Sequence, residues 1–324
     1  MSPSGAPFHP SKTVVALCGG VGGAKLALGL QHLLEERLTV VVNVGDDFEH
    51  KGLRICPDLD TVLYTLSGLN DQTRGWGRAD ETWNFMEATK QLGGESWFAL
   101  GDRDLALHVE RTIHLAGGAS LSEVIADISR KLRIKPSILP VTDDSLRTKV
   151  ESNAGMLDFQ RYFVERRCEP IVRRIYFEGA EVSRLSPLVR KALSSEQLGA
   201  IIICPSNPYL SIDPILAVPD IRKVMRERGV PVVAVSPIIG GLAIKGPTAK
   251  IMDELGIKPT ARSIAQHYST LIDGLIVDHV DAQEASRMST TVHAASTLMT
   301  DAETRIRLAR ETLAFAERLS TGGN

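Results

Sequence analysis

Short apolar runs alternate with stretches of helical spacing along most of the chain. Residues 13–17 (TVVAL) and 38–44 (LTVVVNV) are rich in β-branched side chains, as is typical of buried strands. Between them, residues 24–36 place leucines three and four positions apart, which is the spacing of one helix face. A strand, a helix and a second strand in this order predict parallel pairing through a right-handed crossover.

The second half of the chain repeats this alternation, whereas the middle is mainly of helical spacing. Further strands are predicted at residues 138–141, 200–204, 232–235 and 275–277. Helices are predicted at residues 81–92, 105–115, 121–132, 215–228, 264–272 and 302–319. We therefore predict one domain, residues 1–324, with a doubly wound, Rossmann-like, mostly parallel α/β sheet and a mainly helical insertion at about residues 80–165. Residues 1–12, rich in Ser, Pro and Gly, are expected to form a flexible tail.

The composition is that of an ordinary soluble protein and argues against several classes of partner. The 324 residues are 43% hydrophobic and 23% charged, with a formal net charge of −2. This balance argues against non-specific binding to nucleic acid or to an acidic membrane, and no apolar run approaches the roughly 18 residues of a membrane helix. The first residues lack the apolar stretch of a signal peptide, and the four cysteines form no CxxC pair. We therefore expect a cytoplasmic protein with reduced thiols.

A glycine-rich loop, "CGGVGGAK" at residues 18–25, follows the first predicted strand. Such a loop before a helix can turn backbone N–H groups and the positive end of the helix toward a phosphate. Its spacing fits neither common phosphate loop. Lys25 is not followed by the Ser or Thr of a Walker A loop, and it occupies the third glycine position of the dinucleotide fingerprint. The loop therefore predicts an anion site of another kind, with a tight turn that binds nothing as the alternative.

An acidic segment, "NVGDDFEHKGLRICPDLDT" at residues 43–61, follows the second predicted strand. It carries Asp46, Asp47, Asp58 and Asp60 near the carboxyl edge of the sheet, where ligands of open α/β folds bind. Carboxylates that repel one another need a cation or a donor-rich ligand, and oxygen ligands of this kind suit Mg²⁺. Alternatively, Asp58 or Asp60 caps the helix that follows. The glycine loop and the acids together indicate Mg²⁺-dependent chemistry on a diphosphate.

Four further polar segments lie beside predicted strands or at a helix start. They are "LGDRDLALH" (100–108), "VTDDSLRT" (141–148), "CPSNP" (204–208) and "SPIIGG" (236–241). Each alone is more often a plain turn, but at one edge of the sheet they would form a composite site. The histidines show no metal-binding spacing, and we interpret His50, His108 and His293 as surface or capping residues. No Gly-x-Ser-x-Gly elbow is present, which argues against acyl hydrolysis.

Eight collinear segments resemble the 2-phospho-L-lactate transferase family of the CofD type. In order they are GGVGGAK, VVNVGDD, ICPDLDTVLYTLSG, LGDRDLA, ILPVTDDSLRT, PSNPYLSIDPIL, VSPIIGG with GPTAK, and STLMTD. The resemblance runs from residue 13 to residue 315 and implies a Rossmann-like core, often assembled as a homodimer.

The resemblance also implies a reaction. Members of this family work in the biosynthesis of the deazaflavin coenzyme F-420. They transfer a phosphorylated three-carbon acid from its guanosine diphosphate conjugate to a ribitol hydroxyl of the deazaflavin precursor Fo, with Mg²⁺ required and GMP leaving. The acid can be 2-phospho-L-lactate, phosphoenolpyruvate or 3-phosphoglycerate, and nothing in the sequence selects among them.

The residue chemistry and the resemblance together assign roles. Asp46, Asp47 and Asp58 are the predicted metal ligands, and Asp47 is also grouped with the catalytic residues. Asp60 lies where the family contacts the deazaflavin and is the first candidate to orient or deprotonate the attacking hydroxyl, with Arg103 as a further catalytic candidate. The remaining candidates, expected to bind the substrates, are Gly19, Gly20, Gly22, Gly23, Lys25, Asn43, Thr61, Asp102, Ser206, Asn207, Pro208 and Ser236.

One position departs from the family, and two other functions stay open. Some members carry Lys or Arg as a deazaflavin contact where this chain has Ala99, so Arg103 or backbone groups are expected to serve instead. A related, non-enzymatic regulator that binds a nucleotide sugar would carry a Gly- and Ser-rich stretch after Asp47, but Phe48 to Lys51 follow here. An NAD-dependent oxidoreductase is disfavoured by the missing third glycine and by the lack of a clear catalytic His or Tyr.

Overall fold

A seven-stranded sheet organises the residues that the computed structural model describes, which are 8–227, 229–243, 246–285 and 287–321. The strands of this sheet and of three smaller ones are β1 (Thr13–Cys18), β2 (Leu38–Val42), β3 (Phe48–His50), β4 (Leu53–Ile55), β5 (Ser137–Pro140), β6 (Arg147–Ser152), β7 (Gly155–Asp158), β8 (Val172–Glu178), β9 (Leu198–Ile203), β10 (Val232–Val235), β11 (Ile238–Ile239), β12 (Leu242–Ala243), β13 (Gly274–Asp278) and β14 (Thr291–Ala295).

Twelve α-helices lie in the described part of the chain. They are α1 (Gly20–Leu34), α2 (Pro57–Ser67), α3 (Asn84–Gln91), α4 (Asp102–Ala116), α5 (Leu121–Lys131), α6 (Pro187–Leu193), α7 (Asp213–Ala217), α8 (Ile221–Glu227), α9 (Thr248–Glu254), α10 (Ala261–His267), α11 (Ala282–Ala285) and α12 (Ala302–Thr321). Short 3-10 or π-helical turns occur at Glu35–Arg37, Arg161–Glu165, Ala180–Val182, Pro208–Ile212 and His279–Asp281. None of the helices in the described ranges is both long enough and apolar enough to cross a membrane.

The strand order of the large sheet is β14-β13-β10-β9-β1-β2-β5, and all its pairings are parallel. The chain runs outward from β1 through β2 to β5, and outward in the other direction from β9 to β14. β1 and β9 are therefore neighbours from which the connections diverge, with Leu17 paired with Ile203. This is the topological switch point of a doubly wound fold, where a crevice opens at the carboxyl ends of the strands. The predicted Rossmann-like α/β fold is confirmed.

The core follows from burial of the sheet on both faces. Residues 14–18 of β1 and 200–203 of β9 are all at most 1% exposed, as expected of parallel strands that read as continuous apolar runs. Helix α1 packs against α2 and α12. At Gly29, a Cβ atom would lie 2.3 Å from the backbone oxygen of Arg305, so a glycine is needed for α12 to approach this closely. The packing of α1 fixes the direction in which its N-terminus points.

Three predicted segments differ from the structure in detail. Within residues 80–165, helices α3 to α5 are followed by β5, which matches the predicted strand at 138–141 and joins the large sheet. The next two strands, β6 and β7, were not predicted, and they form an antiparallel sheet with β8. Side chains of β6 alternate between partly exposed and buried, the two-residue period of a strand with one covered face. The predicted helix 215–228 is interrupted at Val218, because a residue before proline avoids the helical conformation. Residue 228 and residues 1–7 of the predicted tail lie outside the described residues, and Phe8 packs against the core.

Candidate active site

A cavity of about 770 Å³ opens at the carboxyl ends of the parallel strands. Loops after five strands of the large sheet contribute to its wall, represented by Gly20 (after β1), Asp46 (β2), Ser206 (β9), Pro237 (β10) and Met299 (β14). Parallel strands end at one edge, so the polar loops meet at the switch point between β1 and β9. The composite site expected from the sequence is present for these loops.

The glycines of the loop after β1 allow two chain segments to approach each other closely. Helix α1 begins at Gly20, where φ is +62°. A Cβ atom at Gly22 would lie 2.4 Å from the backbone oxygen of Pro205, and one at Gly23 would lie 2.3 Å from Ser206 Oγ. The first turn of α1 thus packs directly on the loop after β9. Gly19, Gly20 and Gly22 line the cavity, whereas Gly23 is buried against Ser206.

Asn43 gathers two of the acids against the glycine loop. Its Nδ2 donates to Asp58 Oδ2 at 2.9 Å and to Asp46 Oδ1 at 3.4 Å. Asp58 Oδ1 accepts a hydrogen bond from the backbone N–H of Gly20 at 2.5 Å. Helix α2 begins at Pro57 without a side-chain cap, so the alternative of a helix-capping Asp58 or Asp60 does not apply. Asn43 itself is fully buried and positions Asp46 and Asp58, both of which line the cavity.

The two acids beside Asn43 lie in an environment that disfavours negative charge. Burial raises the pKa of Asp46 well above its ordinary value, and the neighbouring carboxylates of Asp58 and Asp47 raise it further. Burial also raises the pKa of Asp58 to about 6, although hydrogen bonds from Asn43 and Gly20 oppose this shift. A bound cation would favour the charged forms of both.

Asp47 points to a different place from Asp46. Its Oδ2 lies 3.2 Å from Arg54 Nη2 in a partly buried ion pair, and Asp47 is not among the described residues that line the cavity. Burial raises the pKa of the Asp47 carboxyl, and the positive charge of Arg54 opposes this. Within the described ranges, no three His, Cys, Asp or Glu side chains are grouped so that they could hold a metal ion. The geometry thus offers two candidate metal ligands, Asp46 and Asp58, and keeps Asp47 with Arg54.

Asp60 lies in the cavity wall, paired with a fully buried arginine from α4. Arg111 donates through Nη2 to Asp60 Oδ1 and through Nη1 to Asp60 Oδ2 at 3.2 Å, a two-pronged arrangement. His108 Nδ1 lies 3.7 Å from the same Oδ2, and His108 Nε2 lies 3.3 Å from Asp104 Oδ2. Tyr64 of α2 donates to Asp104 Oδ1 at 2.6 Å. A continuous polar seam between α2 and α4 therefore fixes the orientation of the Asp60 carboxylate.

This seam was missed in the sequence, although a signal for it is present. Asp104, His108 and Arg111 are spaced four and three residues apart and therefore share one face of α4. Asp60 and Tyr64 share a face of α2 in the same way. His108, expected at the surface or at a cap, is 1% exposed and lines the cavity.

The loop after β9 contributes a further part of the cavity wall, next to the glycine loop. Ser206 Oγ accepts a hydrogen bond from Gly19 N at 3.1 Å, and Asn207 Oδ1 accepts from Tyr209 N at 3.0 Å. Ser206, Asn207, Lys25 and Thr61 line the cavity as predicted site residues. Pro208 and Ser236 are buried beside it, outside the described lining.

Two other predicted residues lie away from the cavity lining. The Arg103 side chain is 55% exposed and lies 3.9 Å from Asp80 in a surface ion pair. Asp102 accepts hydrogen bonds from Thr82 and Asn84 and holds the turn before α3. Neither residue is among the described residues that line the cavity. Arg111, rather than Arg103, is the arginine that contacts Asp60.

Four aromatic side chains, which we call the aromatic wall, form part of the cavity lining. They are Trp76, Trp97, Phe98 and Phe163, and Ala99 follows Phe98 there. The rings of Trp97 and Phe98 meet edge to face with centroids 5.6 Å apart. Flat apolar surfaces of this kind suit an aromatic ring system. The side chain of Ala99 is small, so it leaves this part of the cavity open.

Comparison with known proteins identifies relatives along the whole chain. Residues 14–315 match the family model described as 2-phospho-L-lactate transferase CofD. The chain is 39% identical over 316 residues to a phosphoenolpyruvate transferase of Streptomyces griseus, covering 94% of this chain and 99% of that protein. It is 38% identical over 294 residues to a 2-phospho-L-lactate transferase of Methanosarcina mazei, covering 90% and 96%. A crystal structure of a UPF0052 family protein from Bacillus halodurans shares the fold, with a TM-score of 0.61 at 16% identity over 93% of this chain and 98% of that one.

Proposed function

Since the chain belongs to the 2-phospho-L-lactate transferase CofD family and is a transferase of that type, we propose that its cavity joins a guanosine diphosphate-linked three-carbon acid to the deazaflavin precursor Fo. The observation that carries this proposal is the meeting of Gly20, Asp46, Asp58 and Ser206 in one cavity at the switch point. The product would be coenzyme F-420-0 or its dehydro or hydroxymethyl analogue, with GMP released. The relatives named for phosphoenolpyruvate and for 2-phospho-L-lactate are almost equally similar to this chain, so the acid is proposed only as a class.

Asp46 and Asp58 fit a Mg²⁺ ion that is bound together with the donor. Mg²⁺ is commonly held by one or two carboxylates together with substrate phosphates and water. Both acids line the cavity, and burial raises the pKa of each, as expected of carboxylates that a cation would stabilise. When bound, Mg²⁺ would neutralise charge on the diphosphate.

The residues of the cavity wall fit an attack by a hydroxyl on the phosphorus nearest the acid. As the new O–P bond forms, the hydroxyl gives its proton to a base, for which the Asp60 carboxylate is the candidate, and the bond between this phosphorus and the GMP oxygen breaks. The Asp60 carboxylate, held by Arg111, is an acceptor that can orient the hydroxyl. The N-terminus of α1 and Ser206 lie where the departing GMP phosphate would be held. Orientation and charge stabilisation are the main means of catalysis in such transfers.

Two groups of lining residues suit the two substrates. The aromatic wall of Trp76, Trp97 and Phe98 suits the flat ring of a deazaflavin. The loop with Ser206 and Asn207 offers polar groups for a guanosine nucleotide.

A homodimer in the cytoplasm is expected from the family resemblance and the reduced cysteines, and size-exclusion chromatography with light scattering would measure the assembly.

A product analysis tests the proposal. The protein is incubated with Mg²⁺, Fo and each of the three guanosine diphosphate conjugates in separate reactions, and new deazaflavin species and GMP are quantified by mass spectrometry. One dominant product would support the transfer and identify the donor. Absence of product with all three, together with tight binding of a uridine nucleotide sugar, would contradict it.

Asp60→Asn is expected to abolish transfer with an unchanged circular dichroism spectrum, and near-normal turnover would remove Asp60 from this role.

A further inference from the structure

Arg167 is a cavity residue whose presence neither the glycine loop nor the acids explain. The Lys and Arg side chains among the described lining residues are Lys25, Arg74 and Arg167. Lys25 Nζ donates to the backbone oxygen of Met299 at 2.9 Å, and Arg74 Nε lies 3.0 Å from Asp71 Oδ2 in an ion pair. The Arg167 guanidinium makes no hydrogen bond or ion pair with any residue that the structure describes. It is therefore the cation of this wall that is available to an anion.

The backbone holds Arg167 in a strained conformation. Its φ is +48° and that of Cys168 is +58°, and Glu169 N donates to Arg166 O at 2.8 Å. These features describe a tight turn with two left-handed central residues, where Gly and Asn are usual because a larger side chain costs roughly 1–2 kcal/mol. Cys168 N also donates to the backbone oxygen of the buried Tyr162 at 3.0 Å, which fastens the turn to the core. Strained residues that the surrounding structure holds in place cluster at binding sites.

The segment that leads into the turn contacts the loop that carries Asp46. Phe159 and Gln160, which precede the turn in the same segment, line the cavity together with Arg167. Gln160 Nε2 donates to the backbone oxygen of Asp46 at 3.2 Å. Through Gln160, the segment that carries Arg167 is therefore tied to the loop of Asp46, an acid that we propose for Mg²⁺.

We propose that Arg167 binds the carboxylate of the three-carbon acid of the donor, an inference that rests on the proposed transferase function. Such a donor carries a diphosphate and a carboxylate. The metal and the N-terminus of α1 suit the diphosphate, which leaves the carboxylate as the anion that needs a cation of its own. A guanidinium matches a carboxylate with two parallel hydrogen bonds. All three candidate acids carry this group, so Arg167 selects the class of donor.

The test compares two donors that differ at one group, which is a charged carboxylate in one and an uncharged carboxamide in the other. One is the conjugate that the enzyme turns over, and the other is the same conjugate with a carboxamide in place of the carboxylate. We measure kcat/KM for both in the wild type, Arg167→Met, Arg167→Lys and Arg167→Gly. The glycine variant relieves the left-handed strain and so guards against misfolding. Arg166→Met is the matched control, because Arg166 is the adjacent exposed arginine and is not among the described residues that line the cavity.

The proposal predicts a change in the ratio of kcat/KM for the carboxylate donor to kcat/KM for the carboxamide donor. The wild type and Arg166→Met should prefer the carboxylate donor by about 10- to 100-fold, the range expected for hydrogen bonds to a charged group. Arg167→Met and Arg167→Gly should bring this ratio close to one, and Arg167→Lys should lie between. An equal loss on both donors would place the guanidinium on the diphosphate and overturn the proposal, and so would an unchanged ratio. A wild type that turns over no conjugate would contradict the transferase function instead, and the same ratio of Kd values, from calorimetric titration with Mg²⁺, would then decide the role of Arg167.

Discussion

Asp60 and Arg111 depend on each other, because both side chains are removed from water. Arg111 is fully buried and Asp60 is 6% exposed, so each lacks solvent to replace a lost partner. Burial of an ion pair with good geometry is often close to neutral in free energy, whereas removal of one partner leaves an uncompensated charge. The pair is therefore better understood as a device that orients Asp60 than as a source of stability.

Arg111→Met should lower the free energy of unfolding by about 3–5 kcal/mol, the usual cost of breaking a buried pair. Urea denaturation measures this change. Arg103→Met is the control, since the Arg103 side chain is 55% exposed and its Asp80 partner is 84% exposed, and it should change stability by at most about 0.5 kcal/mol. A small effect of Arg111→Met would show that water reaches Asp60. A large loss of turnover in Arg103→Met would restore Arg103 as a catalytic candidate.

Helix α1 and the loop after β9 form one unit, since backbone atoms of the loop occupy the space of a side chain on the helix. Gly22→Ala should therefore lower both stability and turnover, because its Cβ would lie 2.4 Å from the Pro205 oxygen and a backbone atom must move. The matched control is Gly117→Ala at the end of α4, where φ is −75° and a Cβ atom would lie 3.3 Å from the backbone oxygen of His114. The melting temperature and kcat are measured for both variants. Equal, small effects would show that the loop after β9 adapts.

The turn before α3 depends on the ionisation of Asp102. Hydrogen bonds from Thr82, Phe85 and Asn84 lower the pKa of this carboxyl to about 2. Because the pKa is depressed on folding, the stabilisation is fully present above the ordinary value of about 3.9 and is lost as the pH falls through about 2. The difference in unfolding free energy between the wild type and Asp102→Asn should be constant from pH 7 to pH 5 and shrink below about pH 4. Urea denaturation at several pH values measures it. A difference that does not change with pH would contradict the assignment, and Asn84→Ala should weaken the dependence.

The local sequence pattern predicted strands that are marked by a run of β-branched residues. It failed for features that depend on contacts between distant segments of the chain. The β-branched runs of β1, β2, β9 and β10 led to the parallel sheet, and the polar residues after them marked its ligand edge. The seam of Asp60, His108 and Arg111 escaped because nothing in the sequence shows that α2 and α4 face each other. Asp46 and Asp47 are adjacent in sequence, yet Asp46 lines the cavity whereas Asp47 forms a partly buried ion pair with Arg54. The sequence does not show where Arg54 lies, so it could not separate the two acids.

The switch point places the site between the two halves of the sheet. Gly20 and Asp46 come from the half that contains β1 and β2, whereas Ser206, Pro237 and Met299 come from the half that contains β9 to β14. A ligand in the cavity therefore contacts both halves and should stabilise the molecule as a whole. A ligand that binds only the folded state stabilises it by about 2.7 kcal/mol when its free concentration is 100 times its Kd.

Mg²⁺ and GDP should therefore stabilise the protein cooperatively. Without a cation, the diphosphate would lie beside the carboxylates of Asp46 and Asp58, which repel it. With Mg²⁺ bound as we propose, the same carboxylates would serve as its ligands. The melting temperature should rise more with both together than the sum of the separate shifts, as measured by differential scanning fluorimetry with and without EDTA. Asp46→Asn should abolish this excess, while Arg103→Met, on the surface, should keep it. Strictly additive shifts would place the cation away from the diphosphate, and the two acids would then need another explanation for lying together beneath the glycine loop.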